Sequence, residues 1–273
     1  MRFKLTLKVN RQKFGDELPI NYLYESSAAI YRILSKADKD YATWLHDNGF
    51  ELSRGKRFKL FTFSRFFIPE YKIIPKEGRI KILCDTIEWQ ISFLPERSTQ
   101  KFIEGLFSNQ IFEVGDRRSA VQFEIRSVEA MPEPEYKEEM EFNTLSPMCI
   151  KFKREDGGKD YLSPTDVRSP FLIFNGLIDR YRSFYHQDPP FSVSDCKLSV
   201  TKDPKSALIT VKAGTKEETK IRGYLCSFKI KAPVEIMKMI YTSGIGSLNA
   251  IGFGCVEEKH SPLPINDRGQ RCD

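Results

Sequence analysis

The order of its periodicities constrains this 273-residue chain most, because the same succession of elements is written twice. The opening "MRFKLTLKVN" sets Phe3, Leu5, Leu7 and Val9 on one side and Arg2, Lys4, Thr6 and Lys8 on the other. A period of two marks a half-buried antiparallel strand, here with one apolar and one basic face. Helical periodicity follows from about Ser26 to Asn48, then the strand-like runs "KLFTFSRFFI", "RIKILCDT" and "EWQISFL". Pro95 opens a helix bearing Phe102, Ile103, Leu106 and Phe107, and "QIFEV" closes the unit as a strand before a turn at Gly115 and Asp116.

The second half repeats the pattern. "FNTLSPMCIKF" reads as a strand, and Ser169 with Pro170 caps a helix that repeats Phe171, Phe174, Leu177, Ile178, Tyr181 and Tyr185 at helical spacing. Strands "CKLSVTK" and "GYLCSFKIK" come next, then a helix opened by Pro233 with Ile236, Met237 and Ile240 inward, then a last strand from Phe253. Strand, helix, two strands, helix, strand, twice over, predicts an α+β chain of two tandem ferredoxin-like (βαββαβ, RRM-like) domains. Residues 129–141, "EAMPEPEYKEEME", hold two prolines and six glutamates and little to bury, so they read as an acidic linker or excursion. The expected layout is 1–128 and 142–259 as domains, with a disordered tail at 260–273.

Composition narrows the classes. Apolar residues make up 40% and charged ones 29%, as in a globular chain, and no window reaches the roughly 18 unbroken apolar residues of a membrane span. The N-terminus alternates instead of carrying a continuous apolar core, so a cytoplasmic protein without a membrane partner is expected. Six scattered cysteines with no C-x-x-C read as reduced core thiols, and neither a metal nor a cofactor is expected. A net charge of +6 favours a polyanion partner.

The halves differ where the second helix meets its strand. The first passes through "SNQ"; the second passes through "GIGSLNAIGFG", residues 244–254, with Gly244, Gly246, Ser247, Asn249, Gly252 and Gly254. Glycines let a ligand approach the backbone, and exposed amides can cradle phosphates. The stretch is neither a dinucleotide fingerprint, since it follows a helix and precedes a strand, nor a P-loop, since no lysine lies in it. The alternative is a helix cap with a bulged strand. Cations support a phosphate-binding surface: "SRGKRFKLFTFSRFF" interleaves Arg54, Lys56, Arg57, Lys59 and Arg65 with phenylalanines, and Arg117, Arg118, Arg180 and Arg182 add to them. Phe61 and Phe63 suit the core face of a strand better than base stacking.

Of three histidines, His46 stands in "YATWLHDNGF", near the end of the first helical region and before the cation-rich loop. Tyr31 precedes it by fifteen residues, roughly 22 Å along one straight helix, so both can serve one site only if the helix breaks. "SKAD" at 35–38 supplies a break, with Ser35 as cap of a second helix and Asp38 three residues on.

The glycine stretch with its G-F-G, "FNTLSPMCIKF" at the head of the second half, "KLFTFSRF" after a histidine-bearing helical region, and the duplicated α+β order together resemble the CRISPR-associated endoribonucleases of the Cas six family, within the RAMP superfamily of RNA-binding proteins. The resemblance spans about residues 1–258, and the glycine loop is its most specific sign. It implies metal-independent cleavage of precursor CRISPR RNA within its repeats, in which a 2′-hydroxyl attacks the adjacent phosphate to leave a 2′,3′-cyclic phosphate and a 5′-hydroxyl. By position His46 matches the family's general acid–base histidine and Tyr31 its partner tyrosine; a histidine, with an ordinary pKa of about 6.5, suits that role. The family lysine is missing, since Leu52 stands six residues after His46, so Arg54 or Lys56 would have to steady the pentacovalent phosphate. Repeat RNA is the implied partner of the glycine loop, with other CRISPR effector subunits or a second copy as further partners. Two other readings use the same residues: a noncatalytic RNA-binding subunit, which needs the loop but not His46 and Tyr31, and a structural tandem module in which the loop is only a cap.

Overall fold

The computed structural model describes residues 1–52 and 55–259. The first unit is built from β1 (Arg2–Asn10), α1 (Leu23–Ala37), α2 (Lys39–Asp47), β2 (Phe61–Phe63), β3 (Thr86–Phe93), α3 (Glu96–Ser108), β4 (Ile111–Gly115) and β5 (Ala120–Met131). The second comprises β6 (Glu139–Thr144), α4 (Ser169–Tyr185), β7 (Lys197–Val211), β8 (Thr219–Lys231), α5 (Val234–Ser243) and β9 (Val256–Glu258). Its sheet runs β7-β8-β6-β9 with antiparallel neighbours, so the first and third strands of the unit are central. That is the ferredoxin-like order. The first sheet, β2-β3-β1-β5-β4, is the same arrangement with one strand added at the edge. Both units are therefore ferredoxin-like, as the repeated periodicity predicts.

The apolar face of β1 explains why this strand is central. Phe3, Leu5, Leu7 and Val9 are buried, and β1 pairs with β3 on one side and β5 on the other. The aromatic residues of β2 and β3 fill the core beneath: Phe61, Phe63, Trp89 and Phe93 are each at most 1% exposed. The core reading of Phe61 and Phe63 holds. In the second unit Phe142, Phe174 and Phe228 form a separate core with Ile236, Met237 and Ile240.

Several expectations change at element ends. "QIFEV" is only the outer strand of a hairpin; the strand that pairs with β1 is β5, whose polar alternation from Glu124 onward hides it. "RIKI" leaves the main sheet and joins Glu17–Pro19 and Tyr71–Ile74 in a small three-stranded sheet. "FNTLSPMCIKF" is not one strand: β6 ends at Thr144, and the chain continues through isolated bridges at Met148 and Cys149 to a short strand at Lys151–Lys153. Pro147 accounts for the interruption, having no N–H to give a ladder. Strands β5 and β6 also reach into the acidic stretch, leaving 132–138 outside any strand. Ser169 does not cap α4; it lies inside the helix and donates to the Ser163 carbonyl at 2.6 Å. Cys149, Cys196, Cys226 and Cys255 are buried free thiols and Cys84 is half-buried; Cys272, His260 and the rest of the tail lie outside the described residues.

The two units meet through a residue expected on the basic face of β1. Arg2 is buried, at 1% exposure. Its guanidinium lies 3.8 Å from the centre of the Tyr241 ring and donates to the carbonyls of Tyr241 and Val256 in the second unit. An arginine can be buried here because carbonyls and a ring face replace its water.

Candidate active site

α1 ends where Asp38 turns extended, with φ −156° and ψ 98°, and the Asp38 carboxylate accepts from the Tyr41 amide at 2.9 Å. Asp38 is thus the N-cap of α2, while Ser35 stays within α1 and is exposed. The position of the break is as expected, but the capping residue differs, because the aspartate reaches the third amide of the new helix. The resulting hairpin brings Tyr31 and His46 together. Their rings lie 5.0 Å apart, edge to face, and Tyr31 also meets Phe61 at 5.7 Å.

His46 is exposed, with two thirds of its side chain open to solvent, and its Nδ1 lies 2.8 Å from Asp47 Oδ1. With the proton on Nδ1, the imidazole donates to Asp47 and carries its lone pair on Nε2. Burial, together with the neighbouring Tyr41 and Asp47, pushes the Tyr31 phenol well above its ordinary value, so it stays protonated. The chain then reverses at Asn48 and Gly49, and Phe50–Leu52 pairs with Lys56–Phe58 in a short hairpin. This return places Lys59 Nζ 2.6 Å from the His46 carbonyl and Arg57 3.2 Å from that of Asp47. Burial and Arg57 lower the Lys59 pKa. Lys59 is therefore the cation beside His46. Its stem packs on Gly49, where a Cβ would come within 3.0 Å of the Lys59 side chain, so the glycine after His46 is the one trace of it in the sequence.

The other expected cations separate into three places. Lys56 is held 2.6 Å from the Asp179 carboxylate on α4, joining the units. Arg182 sits at the same carboxylate, 3.9 Å away, and donates to Asp188 at 2.7 Å. Arg54 lies outside the described residues. Arg117 and Arg118 are exposed on the β4–β5 turn, at the opposite edge of the sheet from β2.

Arg180 is not on the surface at all. At 3% exposure it donates to the carbonyls of Gly244 and Gly246, both at 2.7 Å, and to Ser243 at 3.3 Å. Burial pulls its guanidinium down to about 10, still charged at neutral pH. It braces the glycine loop from beneath rather than meeting phosphate. The amphipathic position alone could not show this, since a cation on a helix is read as solvated.

The loop itself answers to the protein. Gly244, Gly246, Gly252 and Gly254 all have positive φ. A Cβ on Gly252 would come within 2.9 Å of the Phe63 ring and 3.0 Å of Leu23 Cβ, and one on Gly254 would strike the Ile245 carbonyl. Asn249 Nδ2 donates to the carbonyls of Ile245 and Phe253, each at 3.0 Å, and Ser27 Oγ donates to Ala250 from the first unit at 2.6 Å. Gly244, Gly252 and Gly254 are buried, while 246–251, including Ser247 and Asn249, form a half-buried arc at the surface. Gly252, and Gly244 at Thr62, are bare for close packing between the two units, while Gly246 and Gly254 are bare for packing within the second.

Fold and site together define a tandem ferredoxin-like protein whose first unit displays a histidine–tyrosine pair with two cations, Lys59 and Arg57, on the adjoining backbone. The chain belongs to the CRISPR-associated Cas6 family: the model of the Cas6 N-terminal region matches residues 17–128 and that of the Cas6 C-terminal region matches residues 131–258. It is 29% identical to CRISPR-associated endoribonuclease Cas6 1 of Methanocaldococcus jannaschii, over 99% of this chain and 95% of that one. It is 28% identical to an endoribonuclease-like Cas6 protein of Pyrococcus furiosus, over 88% and 92%. Among solved structures, "An RAMP protein binding different RNA substrates" superposes with a TM-score of 0.78 at 26% identity, covering 95% of this chain and all of that one. The family resemblance and the tandem fold read from the sequence are both borne out.

Proposed function

We propose that this chain is an endoribonuclease that cuts precursor CRISPR RNA within its repeats, with His46 as its general acid–base group. The observation that carries the assignment of His46 is its placement: an exposed imidazole on a basic rim, edge to face with a protonated tyrosine. In this reading Nε2 takes the proton of a 2′-hydroxyl as that oxygen bonds to phosphorus, and the bond to the 5′-oxygen breaks. The leaving oxygen gains a proton, for which the Tyr31 phenol is the available donor. Lys59 and Arg57 offset the charge of the pentacovalent phosphate, the part the sequence assigned to Lys56 or Arg54. Repeat RNA then crosses the half-buried arc of the glycine loop, Lys56 and Arg182, while Arg117 and Arg118 serve only RNA long enough to reach the far edge. Association with a second copy or with other effector subunits belongs to the same reading, as does a cytoplasmic setting. Among the described residues no helix is long and apolar enough to cross a membrane.

The test is cleavage of the host's own repeat RNA in excess EDTA. Wild type should cut at one site, and His46→Ala should bind equally well while cutting about 10²–10⁴-fold more slowly. Binding without cleavage by either protein would replace the enzyme by a noncatalytic RNA-binding subunit. Neither binding nor cleavage would leave a structural module.

A further inference from the structure

Behind the candidate active site, a cleft of about 740 Å³ opens at the junction of the two units. Its wall is a continuous belt of rings. Tyr41 meets Trp44 at 5.5 Å, Trp44 meets Phe50 at 5.4 Å, Phe50 meets Phe184 at 5.6 Å and Phe184 meets Tyr185 at 4.9 Å. The belt crosses from α2, through the short hairpin, to the end of α4. Its outer members are open: Trp44 is 37% exposed and Tyr185 41%. Large aromatic side chains left in solvent at a concave junction are costly unless something covers them.

The charge of the cleft narrows what that is. Of the cations on its wall, Arg97 is 3.5 Å from Asp38 and 4.6 Å from the centre of the Tyr41 ring, and Lys238 is 3.8 Å from Glu133; with Asp40 and Glu96 also on the wall, the cleft is no concentrated site for phosphate. Arg57 on the same hairpin and Lys59 at its foot, which donate to backbone carbonyls, are better placed for phosphates. An unpaired base fits the division of labour. Its faces stack on rings, and an exocyclic amine can donate to a carboxylate such as Asp40 or Glu96. Trp44 and His46 are two residues apart on α2, about 200° around a helix some 10–12 Å across, so the cleft and the imidazole flank a single helix.

We infer that the cleft binds an unpaired nucleobase of the substrate RNA, stacked on the belt through Trp44 and Tyr185, a few nucleotides from the phosphate that faces His46. This rests on the endoribonuclease reading. It assigns the cleft to single-stranded RNA beside the cut, and it makes the belt a positioning element distinct from the phosphate-binding cations.

The chain contains two tryptophans, Trp44 and Trp89, and Trp89 is buried in the core, so a change in emission on adding RNA reports Trp44. The experiment titrates wild-type protein with a non-cleavable repeat RNA carrying a 2′-deoxy sugar at the cut, then with the same RNA made abasic at one position at a time. Intact RNA should quench the emission, and abasic substitution at a single position near the cut should restore it and weaken binding about tenfold. Trp44→Ala should show the same tenfold loss with an unchanged dependence on salt, because no phosphate contact is removed. Should that variant fold poorly, the abasic series on the intact protein decides alone. If the RNA binds and its all-ribose counterpart is cut while Trp44 emission is unmoved by every abasic position, the inference is overturned and the cleft is left to a protein partner, with the nuclease reading intact. Failure to bind RNA at all removes both.

Discussion

The two ferredoxin-like units share a strand order, yet they spend their helices differently. In the second unit the crossover from β6 to β7 carries one unbroken helix, α4, and the residue there that looked functional, Arg180, is buried under the glycine loop. In the first unit the same crossover is broken at Asp38 into α1 and α2, and the break folds a histidine and a tyrosine onto one another at the surface. A continuous helix makes a good internal strut because its side chains are held in register along one face. A broken one can present side chains from two directions to a single point. The candidate chemistry therefore lies on the irregular copy and the internal bracing on the regular one.

Substitutions can break that contrast. Removing Arg180 should have the largest effect. Arg180→Met fills the volume but leaves the Gly244 and Gly246 carbonyls without their charged donor, costing about 3 kcal/mol or more. Urea unfolding should show the midpoint falling accordingly, and an unshifted midpoint would mean that the loop does not depend on its brace. His46→Ala, being exposed, should by comparison move the same midpoint by less than about 0.5 kcal/mol.

Gly252→Val comes next. A β-branched residue at φ +95° is strained, and its side chain would press on Phe63 and Leu23, so about 2–3 kcal/mol should be lost. Because the contact lies between the units, the substitution should also weaken RNA binding; affinity loss in a variant of unchanged stability would show instead that Gly252 meets RNA directly. The smallest effect falls on the break itself. Asp38→Ala removes the N-cap of α2 for about 1 kcal/mol, and cleavage should slow while RNA affinity stays within twofold. Equal cleavage by this variant would show that Tyr31 and His46 meet without the cap.

The residues differ in how legible they were. His46 and Tyr31 could be paired from sequence through the family resemblance, with "SKAD" supplying the break that the pairing requires; the helix in fact runs through Ser35 to Ala37 and breaks at Asp38. Lys59 could not be ranked above Lys56, because the two differ only in which side of a hairpin they leave from, and that depends on the register Phe50 to Phe58. Arg2 and Arg180 read as surface cations since burial of an arginine requires carbonyls from distant segments, at Tyr241, Val256, Gly244 and Gly246.

What the sequence by itself determined was local: the alternation of β1, the two proline-initiated helices, the interruption before α2, and hence the repeated α+β order. These follow from the side-chain period and from the missing donor of proline, which act over a few residues. Tertiary structure alone decided which cations are available, why the glycines are bare, and that rings from Tyr41 to Tyr185 line one cleft. Each of those depends on contacts between separate segments, some within a unit, as between Arg180 and Gly244, and some between units, as between Gly252 and Phe63, and such contacts leave no period in the chain.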